Sequence, residues 1–487
     1  MHKPVVVGSS FSGALISLQL SRSGIDHLLI GGDEPAEEPR LGESLNECAA
    51  PDLFGEFGRD FPDCFHTKSH ISLLNGPFAS MVQIANPRRC KRHMAESLGN
   101  PSDPSTSGFQ TFRASFYGRN LMHVDRIRLD REVYHRAIQQ PQCEFVKELV
   151  ETVEIDEQDR VSRIVLQGGR VIDCPKYVFD TTGFRAVVGR AAKVGIKPLS
   201  NEQRVVWTHF ERKPESDPVR WWRHGTNLLK LTRDPDGIDG IAWMIPIGAT
   251  LSVGISVDND KYGADRMDKA TVIQKLNDAY ARRGVDYPQI FRERIRPIME
   301  LTHRYFVRDR AYGGNWLLVA GGYVAVWFPS SAGLWTTTAA VRIADKIIDD
   351  PLRYGARYQE SMNGLLDFHG HLEKMIHGEP FQSMPQVYRF WSRWLAGVPD
   401  RLGDYLNLVA APNGRMQSRF YFLKGVSKMC KRLPELQMLV WSFHTTRVVR
   451  EPAYARQNDA FRGYFDQWPF KIKNYLRGHL HWWGLYR

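Results

Sequence analysis

The feature that most constrains the fold of this 487-residue chain is a strand–turn–helix–strand pattern in its first thirty residues. Pro4 to Val7 form a short apolar run that ends in a turn between Gly8 and Gly13. Apolar residues then recur at helical spacing, and a second apolar run covers Leu28 to Ile30. This pattern predicts one βαβ unit, whose natural continuation is a parallel sheet with helices on both faces.

The turn of this unit has part of a phosphate-binding pattern, in which glycines let the backbone approach a pyrophosphate at a helix N-terminus. Gly8 and Gly13 fit the first and third glycine positions, but Ser10 stands at the second, where its side chain would crowd the phosphate. The next strand ends in Gly31-Gly32, so that Asp33 lies slightly late for the acidic residue that accepts ribose hydroxyls. A nucleotide-binding turn and a βαβ turn that binds nothing both remain open on this evidence.

Further along the chain, apolar runs predict strands at 163–167, 177–180 and 316–320. Residues 204–257 are rich in strand patterns that alternate in places, which predicts an antiparallel second sheet that carries substrate. A helix is expected at 336–348, and helical patterns dominate from about Tyr354 onward. The Ser/Pro/Gly-rich segment 96–108 reads as a loop.

Several short motifs follow the glycine turn in a fixed order. They are Pro39-Arg40-Leu41-Gly42-Glu43-Ser44, the helix opening at Val124–Asp130, Asp180-Thr181-Thr182-Gly183, Trp243-Met244-Ile245-Pro246, and Gly321-Gly322 followed by Ala332-Gly333. In this order they resemble the flavin-dependent halogenases, a branch of the FAD monooxygenases with the para-hydroxybenzoate-hydroxylase-like fold. The resemblance covers roughly residues 4 to 350.

The resemblance implies an α/β fold with three parts. A Rossmann-like, FAD-binding sheet of βαβ units would use residues 1–200 and 300–350 as one discontinuous domain, and residues 201–299 would form the antiparallel substrate-side sheet. Residues 351–487 would form a mostly helical, basic and aromatic-rich C-terminal region.

The resemblance also implies which residues line the FAD site. By position these are Gly8, Ser10, Gly13, Arg40, Glu43, Arg126, Asp180, Gly183, Gly321, Ala332 and Gly333. Gly321 stands where the family has an aspartate near the flavin ribityl chain. The backbone amides of Ala332 and Gly333 correspond to those that hold the halide in the family.

Three residues are candidates for the chemistry. The halogenase lysine aligns with Leu74, and Lys68, six residues earlier, could serve if the local alignment slips; a solvated surface lysine is the alternative. His209 lies on a predicted substrate-side strand, where it could act as a general base or be a structural histidine. Trp243 keeps half of the halogenase W-x-W-x-I-P motif, in which Ile241 replaces the first tryptophan.

The resulting prediction is an FAD-dependent, halogenase-like oxidoreductase of secondary metabolism, including antibiotic biosynthesis. It would act on an electron-rich aromatic or pyrrole substrate with chloride or bromide, and a separate flavin reductase would supply reduced FAD. An FAD hydroxylase is one alternative. A repurposed flavoprotein fold, such as a non-redox cyclase, isomerase or binding protein, is another, because Ser10, Gly31-Gly32 and Gly321 depart from the pattern together.

All of the chain's excess positive charge lies in its last fifth. From Phe381 to Arg487 there are 17 Lys and Arg against 6 Asp and Glu, together with six tryptophans, whereas the rest of the chain is balanced. This segment could dock an acidic carrier protein that holds the substrate, contact a membrane surface, or cap the core as solvated helices. No nucleic-acid-binding motif accompanies the charge, so nucleic acid is not expected as a partner.

The six cysteines, Cys48, Cys64, Cys90, Cys143, Cys174 and Cys430, include no CxxC pair. This spacing predicts free thiols in a reducing cytoplasm, and no metal site is expected. The N-terminus lacks the apolar core of a signal peptide, and no run of 18 apolar residues occurs, so we expect a cytoplasmic protein.

Overall fold

A computed structural model describes residues 3–45, 49–68, 70–75, 78–83, 122–212, 225–282, 293–326, 332–377 and 446–447. The α-helices are α1 (Phe11–Arg22), α2 (Ala49–Phe57), α3 (Arg126–Ile138), α4 (Val187–Ala191), α5 (Arg233–Asp236), α6 (Asn259–Tyr262), α7 (Lys269–Arg282), α8 (Ala332–Val341) and α9 (Pro351–His377). Short 3₁₀ turns cover Pro62–Cys64, Gly183–Arg185 and Ala320–Gly322.

The strands follow in chain order. They are β1 (Val5–Val7), β2 (His27–Ile30), β3 (Phe65–Thr67), β4 (His70–Asn75), β5 (Phe78–Gln83), β6 (Met122–Val124), β7 (Cys143–Val146), β8 (Val150–Ile155), β9 (Val161–Leu166), β10 (Val171–Asp173), β11 (Val178–Asp180), β12 (Ile196–Pro198), β13 (Gln203–Glu211), β14 (Gly225–Leu231), β15 (Gly240–Ile247), β16 (Thr250–Asp258), β17 (Met299–His303), β18 (Phe306–Arg308), β19 (Trp316–Leu318), β20 (Val324–Ala325) and β21 (Thr446–Arg447).

The first sheet is parallel and has the strand order β19-β11-β1-β2-β7. Val5 pairs with Val178 on one side and with Leu28 on the other. The strands β1, β2, β11 and β19 are buried along their whole length, which explains why they read as continuous apolar runs. Because all five strands run the same way, the loops after β1, β2, β11 and β19 meet at one edge of this sheet.

The second large sheet has the order β17-β13-β16-β15-β14-β4-β5-β21, and within it only β14 and β4 pair in parallel. One face packs against α7 through an apolar cluster that includes Val206, Leu229, Met244, Val253 and Leu276. Side chains alternate along a strand, so the neighbouring positions face the other way. That second face carries the polar and aromatic residues considered below.

These two sheets, with three smaller antiparallel sheets (β10-β9-β8, β12-β18-β20 and β3-β6), confirm the predicted α/β fold with a parallel sheet and an antiparallel second sheet. The βαβ unit, the strands near 163–167 and 177–180, and the helix after Tyr354 also lie where the sequence predicts them. The domain boundaries stay a prediction. Strands β4 and β5, from residues before 201, belong to the second large sheet.

The predicted helix at 336–348 differs from the structure, where α8 begins at Ala332 and ends at Val341. Beyond Val341 the backbone amides of Ile343 and Ala344 bond the carbonyls three residues back, so the chain continues in tighter turns. The loop 96–108, residues 378–445 and 448–487 of the basic region, and Cys48, Cys90 and Cys430 lie outside the described residues. Cys64, Cys143 and Cys174 are free thiols.

Within the described ranges, no helix is long and apolar enough to cross a membrane. The same part of the chain contains no group of three or more His, Cys, Asp or Glu side chains placed to hold a metal ion.

Candidate functional site

The glycine turn after β1 is built by two glycines that no other residue could replace without movement. Gly8 has a φ of 108°, a conformation that L side chains rarely adopt. A Cβ on Gly13 would lie 1.8 Å from the Gly8 carbonyl oxygen, so the turn closes onto helix α1 only with glycine there. Thr181, from the loop after β11, donates its hydroxyl to the carbonyls of Val7 (2.8 Å) and Gly8 (2.9 Å) and fixes the turn from the other side.

A cavity of about 600 Å³ opens where the loops after β1, β2, β11 and β19 meet. It falls within the range of about 300–1,000 Å³ that small-molecule and cofactor sites occupy. Residues predicted to line the cofactor site that do line this cavity are Gly8, Ser10, Arg40, Gly183 and Gly321. The N-terminus of α1 begins at its rim, with Ser10 as N-cap residue. The positive end of a helix and its free amides favour an anion at this position.

The Ser10 side chain does not crowd the position of a phosphate at this turn, contrary to the expectation from the sequence. Its side chain is exposed and makes no capping hydrogen bond to α1, and its φ of −64° is an ordinary backbone conformation. Gly31 stands where the pattern has an acidic residue, and a steric contact explains why this position is glycine. A Cβ there would lie 2.1 Å from the Ser9 Oγ, so Gly31 makes room for the buried Ser9.

Gly183 and Gly321 leave open space in the cavity wall. Gly183 has a φ of 63°; among the described residues no heavy atom lies within 4 Å of an ideal Cβ on it, and the nearest atom for Gly321 is the Gly183 Cα at 3.8 Å. Arg308 holds this wall together, because its buried guanidinium donates to the carbonyls of Gly322 (2.8 Å) and Phe184 (3.0 Å). The missing aspartate at Gly321 therefore removes a polar contact but blocks nothing.

Arg40 lines the cavity with a cationic guanidinium. Its Nη2 donates to the Ala36 carbonyl at 3.3 Å, and among the described residues its buried Nε has no hydrogen-bond partner. A guanidinium forms strong, charge-assisted hydrogen bonds with phosphate. The glycine turn, the helix end and the Arg40 guanidinium together fit the pyrophosphate of a dinucleotide such as FAD.

Two carboxylates after β2 also line the cavity, Asp33 and Glu34. Asp33 pairs with Lys147 at 2.6 Å. Glu34 accepts hydrogen bonds from Arg131 and His135 on α3, and the Arg131 guanidinium in the first place lowers the pKa of Glu34. The Glu34 carboxylate is thus held as an anion at the end of β2, the edge where the pattern requires a ribose acceptor.

Asp180 and Arg126, both predicted as cofactor contacts, do not line the cavity. Asp180 is fully buried; it accepts bonds from the Thr182 hydroxyl (2.6 Å) and the Val188 amide (2.8 Å), and burial raises its pKa. Arg126 makes a bidentate bond to Asp130 and donates to the Leu41 carbonyl at 2.9 Å. The Asp180 and Arg126 side chains therefore stabilise loops next to the cavity without lining it.

The segment Pro39–Ser44 connects the two large sheets. At Gly42 the φ is 93°, and a Cβ would lie 2.7 Å from the Arg126 Nη1, so only glycine fits beside this arginine. The Glu43 Oε1 then lies 2.6 Å from the His209 Nε2 on β13, and both side chains are buried. Two residues predicted for different roles are therefore hydrogen-bonded partners. His209 also lines a second cavity of about 550 Å³ between α3 and the second sheet.

Lys68 is buried, with 3% of its surface exposed, so the surface-lysine interpretation does not hold. Its Nζ donates to the Ser44 Oγ at 2.9 Å and to the Leu45 carbonyl at 3.2 Å. The Ser44 Oγ lies 2.7 Å from the Thr226 Oγ1 on β14, and the Thr226 Oγ1 lies 3.0 Å from the His123 Nε2 on β6. A buried ammonium thus lies at the junction of the Pro39–Ser44 segment and the second sheet.

Trp243 projects from β15 on the same face of the second sheet as His209. Its Nε1 donates to the Ser252 Oγ at 3.3 Å, and its ring covers Gly254, where a Cβ would lie 2.3 Å from the Trp243 Cζ2. Trp207 lies beyond Gly254 on β13, and among the described residues its buried Nε1 has no hydrogen-bond partner. The two buried indoles therefore lie side by side on this face of the second sheet.

The remaining predicted residues lie at the start of α8. Gly333 is exposed, and its carbonyl accepts the hydroxyls of Thr336 (2.8 Å) and Thr337 (3.0 Å). The Ala332–Gly333 halide site stays a prediction, because residues 327–331 before it lie outside the described part of the chain.

The chain has the fold of the flavin-dependent halogenases and related FAD monooxygenases. The flavin-dependent brominase Bmp2 has 15% identity and a TM-score of 0.59, over 88% of this chain and 99% of that one. A variant of the halogenase PltM in complex with FAD has 14% identity and a TM-score of 0.60, over 98% and 92%. PqsL from Pseudomonas aeruginosa, a probable FAD-dependent monooxygenase, has 14% identity and a TM-score of 0.58, over 81% and 99%.

No protein-family model matches this chain, and no curated protein matches its sequence. These identities are low, so the likeness concerns the fold.

The positions of His123, Thr226 and Arg308 at the site could not be predicted from the sequence. They lie in unrelated segments and match no motif. The one available signal was that His123 stands immediately before the Val124–Asp130 segment. The pairing of Glu43 with His209, 166 residues apart, likewise had no local signal.

Proposed function

We propose that this chain is an FAD-dependent halogenase that acts on an electron-rich aromatic or pyrrole compound in secondary metabolism. The glycine turn, the cavity and the Arg40 guanidinium on its wall support the binding of FAD. When bound and reduced, FAD supplies the electrons that reduce dioxygen and allow a halide to be oxidised. A separate flavin reductase would provide reduced FAD.

The observation that carries the halogenase proposal is the buried Lys68 beside Ser44. A protonated amine in a site shielded from water can hold hypohalous acid by a hydrogen bond and direct it to a substrate carbon. The indoles of Trp243 and Trp207 would bind the aromatic ring of the substrate, and the free Trp207 Nε1 would donate to a polar group on it.

The test supplies the full chain with FAD, a flavin reductase, NADH, and bromide or chloride, and screens phenols and pyrroles by mass spectrometry. Wild-type protein should give halogenated products with the isotope pattern of bromine or chlorine. Lys68→Met should lower the halogenation rate by about 100-fold or more, as expected when a positioned proton donor is lost, and it should still bind FAD. Lys197→Met, at an exposed lysine on β12, serves as the matched control.

Two results would contradict the halogenase proposal. Halogenation by Lys68→Met at the wild-type rate would remove the role of Lys68. Products that gain an oxygen atom in place of a halogen would favour the FAD hydroxylase.

A repurposed flavoprotein fold without redox chemistry is the second candidate. It is favoured by Glu34, which lines the cavity but is engaged by Arg131 and His135, and by the lack of a side chain at Gly321. Failure of the protein to bind FAD at all would support it.

The acidic carrier protein remains a proposal based on the charge of residues 381–487. Its test is the salt dependence of turnover on a carrier-bound compared with a free substrate. Steered docking would weaken as ionic strength rises.

A further inference from the structure

Four buried polar side chains from four segments form one continuous hydrogen-bonded chain behind the Pro39–Ser44 segment. The order is Lys68 Nζ, Ser44 Oγ, Thr226 Oγ1 and His123 Nε2, with successive distances of 2.9, 2.7 and 3.0 Å. At the far end the His123 Nδ1 lies 2.9 Å from the Pro246 carbonyl oxygen. None of the four side-chain residues is more than 7% exposed.

The donors in this chain are fixed by its two ends. A carbonyl oxygen only accepts, so the His123 Nδ1 carries a hydrogen, and in the neutral ring the Nε2 is then an acceptor. Thr226 must therefore donate to His123, which obliges Ser44 to donate to Thr226. Ser44 in turn accepts from the Lys68 ammonium. Every hydroxyl proton points from Lys68 towards His123.

We propose that this chain is a proton relay that discharges and recharges Lys68, with His123 as the terminal acid–base group. The inference rests on the proposed role of Lys68 in halogenation. In the forward step the Lys68 ammonium gives a proton to the Ser44 oxygen, Ser44 passes its own proton to Thr226, and Thr226 passes its own to the His123 Nε2.

The step leaves a neutral Lys68 amine and a His123 imidazolium, with no change in total charge. Both hydroxyls now point the other way, so that His123 donates to Thr226, Thr226 to Ser44 and Ser44 to the Lys68 lone pair. The reverse step restores the ammonium. Lys68 can therefore alternate between an ammonium that donates a hydrogen bond to the reacting species and a neutral amine that accepts one, without bulk water entering the buried site.

His123 suits the terminal position because imidazole is the side chain that exchanges a proton near neutral pH, and both its nitrogens are engaged here. Serine and threonine hydroxyls conduct but do not store a proton. Other titratable or charged groups on the neighbouring described elements include His66 on β3, Asp125 after β6, Glu43 before Ser44, Arg204, His209 and Glu211 on β13, Arg212 after it, and Lys230 on β14.

The first arm of the test compares Thr226→Val, which removes the hydroxyl at nearly constant shape, with Thr226→Ser, which keeps it. We expect Thr226→Val to lower kcat for halogenation by about 10- to 100-fold with little change in KM, and to alter the solvent deuterium isotope effect on kcat. Thr226→Ser should stay close to wild type in both. Equal rates in all three proteins, or an equal loss in both variants, would overturn the relay.

The second arm needs no turnover. In flavin-free protein with ¹⁵N-labelled histidine, His123 is assigned by its loss in His123→Gln, and its titration is followed in wild type and in Lys68→Met. Removal of the ammonium should move the titration midpoint of His123 upward, because the two ends compete for one proton. An unchanged midpoint would overturn the relay.

The two arms also separate this inference from the proposed function. If the wild-type protein halogenates nothing, the halogenase proposal fails and the His123 titration alone tests whether the two ends are coupled. If the wild type halogenates and Thr226→Val matches it, the function stands and the relay fails.

Discussion

The Glu43–His209 contact joins the Pro39–Ser44 segment to β13 by a bond of 2.6 Å between two buried side chains. Neither partner can turn to water when the other is removed. A buried carboxylate that loses its partner retains the full cost of its removal from water, which makes such a pair far more sensitive than a surface pair.

We therefore expect His209→Ala to lower the free energy of unfolding by about 3 kcal/mol. The matched control is His135→Ala, whose imidazole is 43% exposed and pairs with Glu34 at 2.9 Å, for which we expect a loss of about 0–1 kcal/mol. Thermal denaturation in parallel measures both. Adding Glu43→Gln to His209→Ala should recover part of the loss; equal stability of the two single variants would refute the buried pair.

At the scale of elements, the turn between β1 and α1 depends on the contact of Gly13 with the Gly8 carbonyl. The start of α8 offers a comparison, because Gly333 is also a helical glycine but has no heavy atom of the described residues within 4 Å of an ideal Cβ. A change from glycine to alanine would therefore clash with the backbone at Gly13 in α1 but would enter open space at Gly333 in α8.

Gly13→Ala should destabilise the protein and weaken FAD binding, because a Cβ at 1.8 Å from the Gly8 oxygen forces the turn apart. Gly333→Ala should leave stability equal or raise it by up to about 1 kcal/mol, which is the helical advantage of alanine over glycine. Thermal midpoints of the two variants measure this contrast. Equal midpoints would contradict the close contact between Gly13 and the Gly8 carbonyl oxygen.

The elements also show what the sequence could predict. The βαβ unit, β9, β11 and the second-sheet strands within residues 204–257 were predictable because each rests on a local pattern of apolar residues that burial enforces. The end of α8 at Val341 was not, because the apolar pattern runs on through Ile347 and Ile348 although the backbone tightens. Local pattern fixes the kind of element better than its end.

The site was predictable only where it coincides with a motif. Gly8, Arg40, Gly183 and Gly321 line the cavity as the motifs suggest, whereas Asp180 and Arg126 support it from behind. The chain from Lys68 to His123 joins residues 44, 68, 123 and 226, and its members meet only because β6 and β14 come together in the fold. No spacing in the sequence encodes such a contact.

At the scale of the whole molecule, buried histidines set how stability depends on pH. His27 is fully buried, and burial lowers its pKa below 6.5, the value for an exposed histidine. Burial also lowers the pKa of His66 and of His303. For each, the unfolded state binds a proton more readily than the folded state, so stability is complete above about pH 6.5 and declines below it.

We accordingly expect the thermal midpoint to be steady between pH 7 and 8 and to fall progressively from about pH 6.5 towards pH 5. In His27→Gln, which cannot be protonated, the fall should be shallower. Scanning calorimetry at constant ionic strength measures both proteins. A midpoint that rises as the pH falls would contradict the assigned direction.

The proposed function depends on the cavity at the edge of the parallel sheet, and a titration with FAD tests whether this cavity binds the cofactor. Purified protein is titrated with FAD, and quenching of flavin fluorescence is followed at low and at physiological salt. We expect a dissociation constant of about 1 µM or tighter. Arg40→Met should weaken binding by about 10- to 100-fold, since it removes a charged donor worth about 1.5–3 kcal/mol.

Arg170→Met is the matched control, because Arg170 is half-exposed and pairs with Glu144 at 2.6 Å, away from the cavity. It should bind FAD like the wild type. No binding of FAD by the wild type at about 100 µM, a concentration that would saturate any micromolar site, would contradict the proposed function and favour a repurposed fold.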